Sequence, residues 1–447
     1  MKYILLLFIV FGFWACQDDD DGTFRITMSK ENVHFKATPG GAVMYYYLPS
    51  DGDVFSLNLR YTDARGQEVL KVGGYGGDSL IIEGFNEARK GVPAQVTLVN
   101  RRNEESSAIE VSFDTENSAP YAFFESAEVS PYWEGFQVTY EAPDQVAGMA
   151  HVFYLGTNPL THNPDTILVK SFPILRGRDT MRFRLQQLRE KNTIILRTED
   201  YRGYRVKQKI WEDVEAYGLE KLNLSEANFI DKYNLSQEIE RDKLGAKYLF
   251  DGDLKGKQRM LGGDRFSVYT FLAGPNAREV PFIFDMNQAE VPACVRIYGM
   301  LKFDVPFPDN TYPKNDHLSS EIWMGTYKDK LPCYVTLYGG NDKDGDDWKE
   351  LGSFYQNRLT LEEDRWSVRC SHKNYLYRNE EELATAEPAY IEIMFTASKL
   401  EKYRYLKLIV NDVFVYDYYV AYGIITDNYN QAKYVTMHEF EIYVKKD

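Results

Sequence analysis

Cysteine is scarce, with four in 447 residues. Cys16 ends an apolar N-terminal run, which leaves Cys294, Cys333 and Cys370. Three is an odd number, so at most one disulfide can form among them. No CxxC spacing points to zinc. Cys294 and Cys333 each open a strand-like run (Cys294-Val-Arg-Ile-Tyr and Cys333-Tyr-Val-Thr-Leu-Tyr), where a thiol serves as a small buried hydrophobe. Histidine is nearly as scarce. The six (His34, His151, His162, His317, His372, His438) form no i, i+4 pair on a helix. Basic residues are outnumbered 52 to 67, for a net charge of −15. Nucleic acid and anionic membrane surfaces both demand basic patches, so neither is the main partner. No apolar run reaches the roughly 20 residues a membrane-spanning helix needs. HExxH, GxSxG, P-loop and GxGxxG patterns are absent, and helical periodicity is rare.

Three near-misses carry no chemistry. Gly77-Asp78-Ser79-Leu80 spells an esterase signature, but Ile81-Ile82-Glu83 continues as a strand, and no His has an Asp three residues before it. Asp342-Lys-Asp344-Gly345-Asp346-Asp347 has the look of a calcium loop. An EF-hand, however, needs Gly at position 6 and Glu at position 12. Counting from Asp342, Gly345 falls at position 4 and Ser353 at position 12, so a polar hairpin turn is expected. The 67 acidic residues make chance carboxylate pairs plentiful. A glycosidase would reveal itself by two carboxyls about 5–10 Å apart in a cleft. The chain is expected not to be an enzyme.

Aromatic residues, by contrast, reach 15%, with 34 Tyr, and hydrophobic residues 44%. That supplies packed cores and excludes global disorder. Tyr suits half-buried strand positions and flat binding platforms alike. Short runs rich in Val, Ile, Tyr, Phe and Thr alternate with Gly, Pro, Asn and Asp turns, the spacing of β-sandwiches. The first half repeats. Residues 23–118 run through Val43-Met-Tyr-Tyr-Tyr-Leu48, Ser79 to Phe85, Ala94 to Val99 and Ala108 to Phe113. Residues 119–217 repeat the order with Phe136 to Tyr140, Met181 to Leu185, Thr193 to Leu196 and Tyr204 to Trp211. Pro49 and Pro143 are offset by 94, Leu98 and Leu196 by 98. A period near 95 is one immunoglobulin or fibronectin-sized sandwich. Asn117-Ser118-Ala119-Pro120 is the joint. Residues 218–246 read as a connector, with a helix predicted over 225–247 and Ser225 as its N-cap.

The N-terminus resembles a type II signal peptide. Lys2 supplies the charge, Tyr3 to Trp14 the short apolar run, and Phe13-Trp14-Ala15-Cys16 a lipobox. The resemblance implies cleavage after residue 15 and a diacylglycerol on Cys16. Gln17-Asp18-Asp19-Asp20-Asp21-Gly22 reads as a solvated spacer, and it also resembles the acidic tag of lipoproteins exported to the outer face of the outer membrane. Membrane attachment is expected through lipid alone.

Residues 247–447 resemble a discoidin (coagulation factor V/VIII C-type, galactose-binding-like) domain. The segments that carry this are Leu249-Phe250-Asp251-Gly252-Asp253, Phe282-Ile-Phe-Asp285, Arg296-Ile-Tyr-Gly299, Tyr334 to Tyr338 with Trp348 to Phe354, Tyr403-Arg-Tyr-Leu-Lys-Leu-Ile-Val410 and His438-Glu-Phe-Glu-Ile-Tyr443. The whole layout resembles Bacteroidetes surface lipoproteins with two fibronectin-like domains and a C-terminal discoidin-like domain, found with glycan-utilisation systems. The expected fold is all-β: two immunoglobulin- or fibronectin-like sandwiches, then a discoidin-like jelly roll.

That resemblance implies capture of a polysaccharide or oligosaccharide for outer-membrane glycan importer proteins. The alternative is a protein-interaction module, an adhesin or scaffold of the same complex. It also implies a structural Ca2+ held by Asp251, Asp253 and Glu439. Lys255 and Lys257 depart from the Asn, Thr or Ser common in the family at these places. Sugar recognition stacks an aromatic ring on a pyranose while planar polar groups read its hydroxyls. Three loops offer such residues. One holds Tyr312, Asn315, His317, Trp323 and Tyr327. Trp323 reads as core first and platform second, and Tyr312, beside Pro313, is the better platform. A second holds Tyr375 and Tyr377, and a third holds Tyr422.

Overall fold

A computed structural model describes residues 24–142, 148–262, 267–303, 327–414 and 434–447. Cys16, Tyr312, Asn315, His317, Trp323 and Tyr422 lie outside the described residues. Among the described residues, no helix is long and apolar enough to cross a membrane.

The chain is all-β. Its first sandwich contains β1 (Val33–Thr38), β2 (Gly41–Tyr46), β3 (Val54–Thr62), β4 (Glu68–Gly74), β5 (Ser79–Ile82), β6 (Val92–Asn100) and β7 (Ile109–Phe113). One sheet has the order β1-β2-β5, the other β4-β3-β6-β7. After a short helix α1 (Ala119–Ser126) come β8 (Glu128–Tyr132), β9 (Gly135–Ala142), β10 (Met149–Thr157), β11 (Pro164–Pro173), β12 (Gly177–Arg184), β13 (Lys191–Glu199) and β14 (Arg205–Glu215). Their sheets run β12-β9-β8 and β11-β10-β13-β14. The two orders are the same, strand for strand, so the repeat expected from sequence is a repeat of fibronectin-type topology.

The period-2 alternation of β3 explains the first core. Leu57, Leu59 and Tyr61 point inward and are buried with Val96 and Leu98 of β6. Full burial of each such side chain is worth about 1.5–3 kcal/mol. The intervening Asn58 and Arg60 face the other way and donate to the Glu105 carboxylate. One glycine recurs for a steric reason. A Cβ at Gly41 would sit 1.8 Å from the Ile82 carbonyl, and one at Gly135 2.0 Å from that of Phe183. At both equivalent positions, neighbouring backbone leaves no room for a side chain. The joint at Ser118 is a helix start rather than a slack linker. Ser118 Oγ accepts from the Tyr121 N–H, and Pro120 occupies the first turn, where a missing N–H costs nothing.

The remaining strands are β15 (Leu219–Lys221), β16 (Phe229–Ile230), β17 (Phe271–Ala273), β18 (Pro281–Glu290), β19 (Pro292–Gly299), β20 (Pro332–Gly340), β21 (Lys349–Tyr355), β22 (Ala389–Met394), β23 (Tyr403–Val413), β24 (Val435–Met437) and β25 (Glu439–Lys445). They form sheets β15-β25-β19-β22, β16-β18-β23-β20-β21 and β17-β24, a discoidin-like jelly roll. Phe284 and Phe440 stack between its layers with ring centroids 4.1 Å apart. Two six-residue helices lie in the loops, α2 (Lys257–Gly262) and α3 (Glu380–Thr385).

The helix predicted over 225–247 is absent. Ser225 does start a helical turn, but it is a 3-10 turn of Glu226–Asn228 only. Asn228 then donates to the Asp285 carbonyl and the Asn287 side chain, and Phe229–Ile230 pairs with β18. Pairing and burial outweigh helix propensity here. Leu219–Lys221 likewise joins β25, so the expected connector is part of the C-terminal sandwich. Asp342 to Asp347 forms the predicted turn between β20 and β21, with the Gly345 N–H directed to the Asp342 carbonyl. Cys294, Cys333 and Cys370 are free and buried.

By its contacts the chain divides into two compact units. One comprises Met1–Val129, Val138–Met181 and Thr193–Asp213; the other Ser130–Gln137, Arg182–Asn192 and Val214–Asp447. One end of the second sandwich thus counts with the C-terminal unit. There Trp133 is fully buried and donates its indole N–H to the Phe395 carbonyl at 2.7 Å.

Candidate site at the loop end of the C-terminal sandwich

Asp251-Gly252-Asp253 is a tight turn. Gly252 has φ +80°, which a residue without Cβ adopts freely. Asp253 organises the start of α2. Its Oδ1 accepts from the N–H groups of Gly256 and Lys257, and its Oδ2 from that of Gln258, each at 2.8 Å. Burial works to raise the Asp253 carboxyl, but His438 and these N–H groups outweigh it and hold it below the usual carboxylate range. Asp251 accepts from the Asp253 N–H and the Gln258 side chain.

Glu439 opens β25 directly opposite Tyr298. It is 3% exposed. Its donor among the described residues is the Gly252 N–H, at 3.3 and 3.2 Å from the two carboxylate oxygens. Burial first, and the Asp251 charge second, push its carboxyl up to about 8. Next to it, His438 is fully buried, and neither ring nitrogen has a hydrogen-bond partner among the described residues. Burial pushes its pKa down, against the Asp253 and Asp251 carboxylates, which work to raise it. Glu441, two residues on, is buried too but well served, accepting from Tyr298, Tyr443 and Lys221.

The three residues expected to hold calcium are therefore neighbours with different duties. Glu439 and Asp251 suit a hard cation, because a buried carboxylate beside a second negative charge gains from a cation placed between them. Asp253 spends its oxygens on loop N–H groups. Among the described residues, no three His, Cys, Asp or Glu side chains are grouped to hold a metal. Any ion here would draw the rest of its oxygens from elsewhere, such as backbone carbonyls.

Lys255 has a partner of its own at this end. Its ammonium donates to the Leu383 and Ala384 carbonyls at 2.9 and 3.1 Å, capping the end of α3. Lys257 pairs with Glu380 at 2.7 Å. Together with the Asp-Gly-Asp turn these residues line a cleft of about 350 Å3. The same end is stitched further. The Leu301 N–H bonds to the Lys255 carbonyl, the Lys302 N–H to that of Arg369, and the Tyr377 N–H to that of Lys302. The segment 369–378 thus lies beside residues 300–303. Arg369 pairs with Glu387, and His372 and Tyr375 meet edge to face at 6.4 Å. Tyr375 is 36% exposed and Tyr377 half-buried.

Tyr327 is not a platform. It is 1% exposed within the core and its hydroxyl accepts from the Met300 N–H. Sequence reasoning marked Lys255 only as a departure from a pattern and gave Glu380 and His438 no role, because the groups they act on lie more than 120 residues away.

A family model described as a domain of unknown function, DUF4959, matches residues 28–115. No curated protein matches the chain. Among solved structures, a SusE-like protein is similar at 16% identity over 73% of this chain and 99% of that chain, with a TM-score of 0.33. A CBM32 module from a family 31 glycoside hydrolase of Clostridium perfringens is similar at 12% identity, covering 50% of this chain and 98% of its own, TM-score 0.24. A segment of two fibronectin type III domains from chicken tenascin is similar at 11% identity, covering 42% and 97%, TM-score 0.19.

Proposed function

We propose that this chain is a non-catalytic lipoprotein of the outer cell surface, held by lipid on Cys16, that captures polysaccharide for an outer-membrane uptake system. One observation carries the binding part of this reading. Four segments distant in sequence (251–258, 300–303, 369–378 and 380–385) meet at one end of the C-terminal sandwich, and the first and last of them line a cleft. The cleft carries carboxylate and ammonium groups, with the exposed ring of Tyr375 on a neighbouring segment. Rings that stack on pyranose faces, beside groups that read hydroxyls, are what a sugar site requires. The first two sandwiches then serve as a spacer. Individually weak sites suffice, since many copies on one surface act together.

We also propose that Glu439 and Asp251 hold a structural cation such as Ca2+, tying β25 to the opening loop. Asp253 shapes that loop rather than joining the ion.

The test is affinity electrophoresis of the full mature chain, without its lipid, through gels containing a panel of polysaccharides, with and without EDTA. Retention on one polymer, reduced about tenfold by Tyr375→Ala, is expected. No retention across the panel, alongside co-purification of outer-membrane proteins, would replace the glycan reading with the protein-interaction one. Unchanged melting in EDTA against excess Ca2+ would remove the cation.

A further inference from the structure

The first sandwich carries an aromatic groove that the C-terminal site does not explain. Phe55 lies at the irregular start of β3 and Tyr75 just past the end of β4, whose Gly74 pairs with Ser56. Phe55 is 59% and Tyr75 57% exposed, and Val72 beside them is exposed as well. All three line one open groove of about 620 Å3 on the edge-strand side of the β4-β3-β6-β7 sheet. Single exposed apolar residues are ordinary, whereas several lining one groove mark a contact surface.

The groove is prearranged. Tyr75 donates its hydroxyl to the Pro49 carbonyl at 2.7 Å, with the Asp51 carbonyl at 3.2 Å. That pins the ring while leaving most of it open to solvent, so little rotamer freedom remains to be lost on binding. Space beside the rings is kept clear, since a Cβ built on Gly52 or Gly74 would meet nothing within 4 Å. Polar groups flank the rings. Asp51 uses Oδ1 on the Asp53 N–H and keeps acceptor capacity in reserve. Arg101 lines the groove, and among the described residues its guanidinium has no ion-pair or hydrogen-bond partner. A surface arginine is usually easy to pair in a chain with 67 acidic residues; this one remains available.

We propose that this groove is a second glycan site, binding a neutral pyranose unit of an oligosaccharide. The sugar's C–H face stacks on the pinned ring of Tyr75 with Phe55 alongside. Asp51 accepts from one hydroxyl and the forked Arg101 guanidinium donates to its neighbours. Neutral sugar fits better than an acidic one because Asp51 and Arg101 present one charge of each sign. The site stands on residues of the first sandwich alone and does not depend on the C-terminal reading. Two sites on one chain would let a single copy hold a polymer at two points.

The experiment uses the full mature chain without lipid, on gels of starch, galactomannan, xyloglucan and arabinogalactan, followed by calorimetry with oligosaccharides of the retained polymer. Wild type should bind two sugars per chain, and Phe55→Ala/Tyr75→Ala one, with gel retention weakened about tenfold. Tyr75→Phe, which keeps the ring and removes its tether, should fall between them. All these side chains are exposed, so melting temperatures should hold. Wild-type stoichiometry and affinity in the double variant would overturn this proposal, even if Tyr375→Ala abolishes binding at the other end. The reverse pattern would sustain it and sink the C-terminal reading. Failure of wild type to bind any neutral glycan would overturn it too, and loss of a co-purifying protein in the double variant would then assign the groove to a protein partner.

Discussion

Arg202 in the turn after β13 reaches Asp63 in the turn after β3, with Nη1 2.8 Å from Oδ2, and the Asp63 side chain is 1% exposed. The same guanidinium also bonds Asp200 beside it at 3.1 Å. Asp63 further accepts from the N–H groups of Arg65 and Gln67, while Arg65 lies 3.6 Å from the centre of the Tyr204 ring. One cation therefore serves two carboxylates from two sandwiches of the same compact unit, so the joint is braced rather than hinged. Arg202→Met should remove the brace and leave Asp63 buried without its counter-charge, a loss of about 2 kcal/mol. Burial favours protonation of Asp63, but the Gln67 and Arg65 N–H groups and Arg202 outweigh it, so its pKa in the fold is below the ordinary value. A lowered carboxylate contributes stability that is complete above its ordinary pKa near 3.9 and drains away as pH falls through the folded value. Thermal unfolding of the first unit should therefore weaken more steeply below pH 4 in wild type than in Arg202→Met. Parallel acid limbs would remove the pair from the account.

Glu439 predicts the opposite slope. Its carboxyl is raised from the ordinary glutamate range to about 8 by burial and by Asp251. A carboxyl raised on folding contributes stability that is complete below its ordinary pKa near 4.3 and is lost as pH climbs through the folded value. In EDTA, wild type should lose stability between about pH 4.5 and 8. Glu439→Gln, neutral throughout, should be flatter and more stable at pH 8, by about 1 kcal/mol or more, some 2 °C or more in Tm. Calcium should raise the wild-type Tm at pH 8 and leave the variant where it is. A variant that melts lower than wild type at pH 8 in EDTA would show that the ionised carboxylate is already compensated by the protein itself.

The features easiest to read in the sequence are those written locally. Strand alternation and turn residues locate β2, β6, β9 and β13, and the 94-residue offset of Pro49 and Pro143 anticipates two sandwiches of one topology. Asp342 to Asp347 is legible as a hairpin turn because Asp and Gly are themselves turn formers. What depends on remote atoms is not legible. Tyr327 sits in an aromatic stretch that looks like a platform, yet its hydroxyl finds the Met300 N–H inside a closed core. Ser225 does cap a helical turn, its N–H bonded to the Asn228 side-chain oxygen, but Asn228 also donates to Asp285 and Asn287, and the chain leaves the helix there. Phe55 and Tyr75 escape a sequence reading because exposure is not encoded by residue type. An aromatic in a strand pattern defaults to core until the sheet shows which face it is on.

Trp133 tests how far the C-terminal unit depends on residues of the second sandwich. The indole is completely buried, in a cluster with Tyr132, Val291, Ala293 and Ala397. Its N–H is donated to the Phe395 carbonyl, whose other donor among the described residues is the Tyr132 hydroxyl at 3.5 Å. Arg184 adds an ion pair to Glu392 at 2.7 Å nearby. Trp133→Phe keeps an aromatic ring but strips the carbonyl of its donor, for a cost of about 1–3 kcal/mol. Trp133→Ala adds a cavity and should cost about 3–5 kcal/mol. Because Ser130–Gln137 belongs to the compact unit of the C-terminal sandwich, calorimetry should show the loss in that unit's transition and leave the first unit's in place. The order matters for function. If Trp133→Ala lowers the C-terminal transition and weakens glycan retention at temperatures where the unit is still folded, the second sandwich helps to hold the binding end in shape. If retention survives until the unit melts, it is a spacer and nothing more.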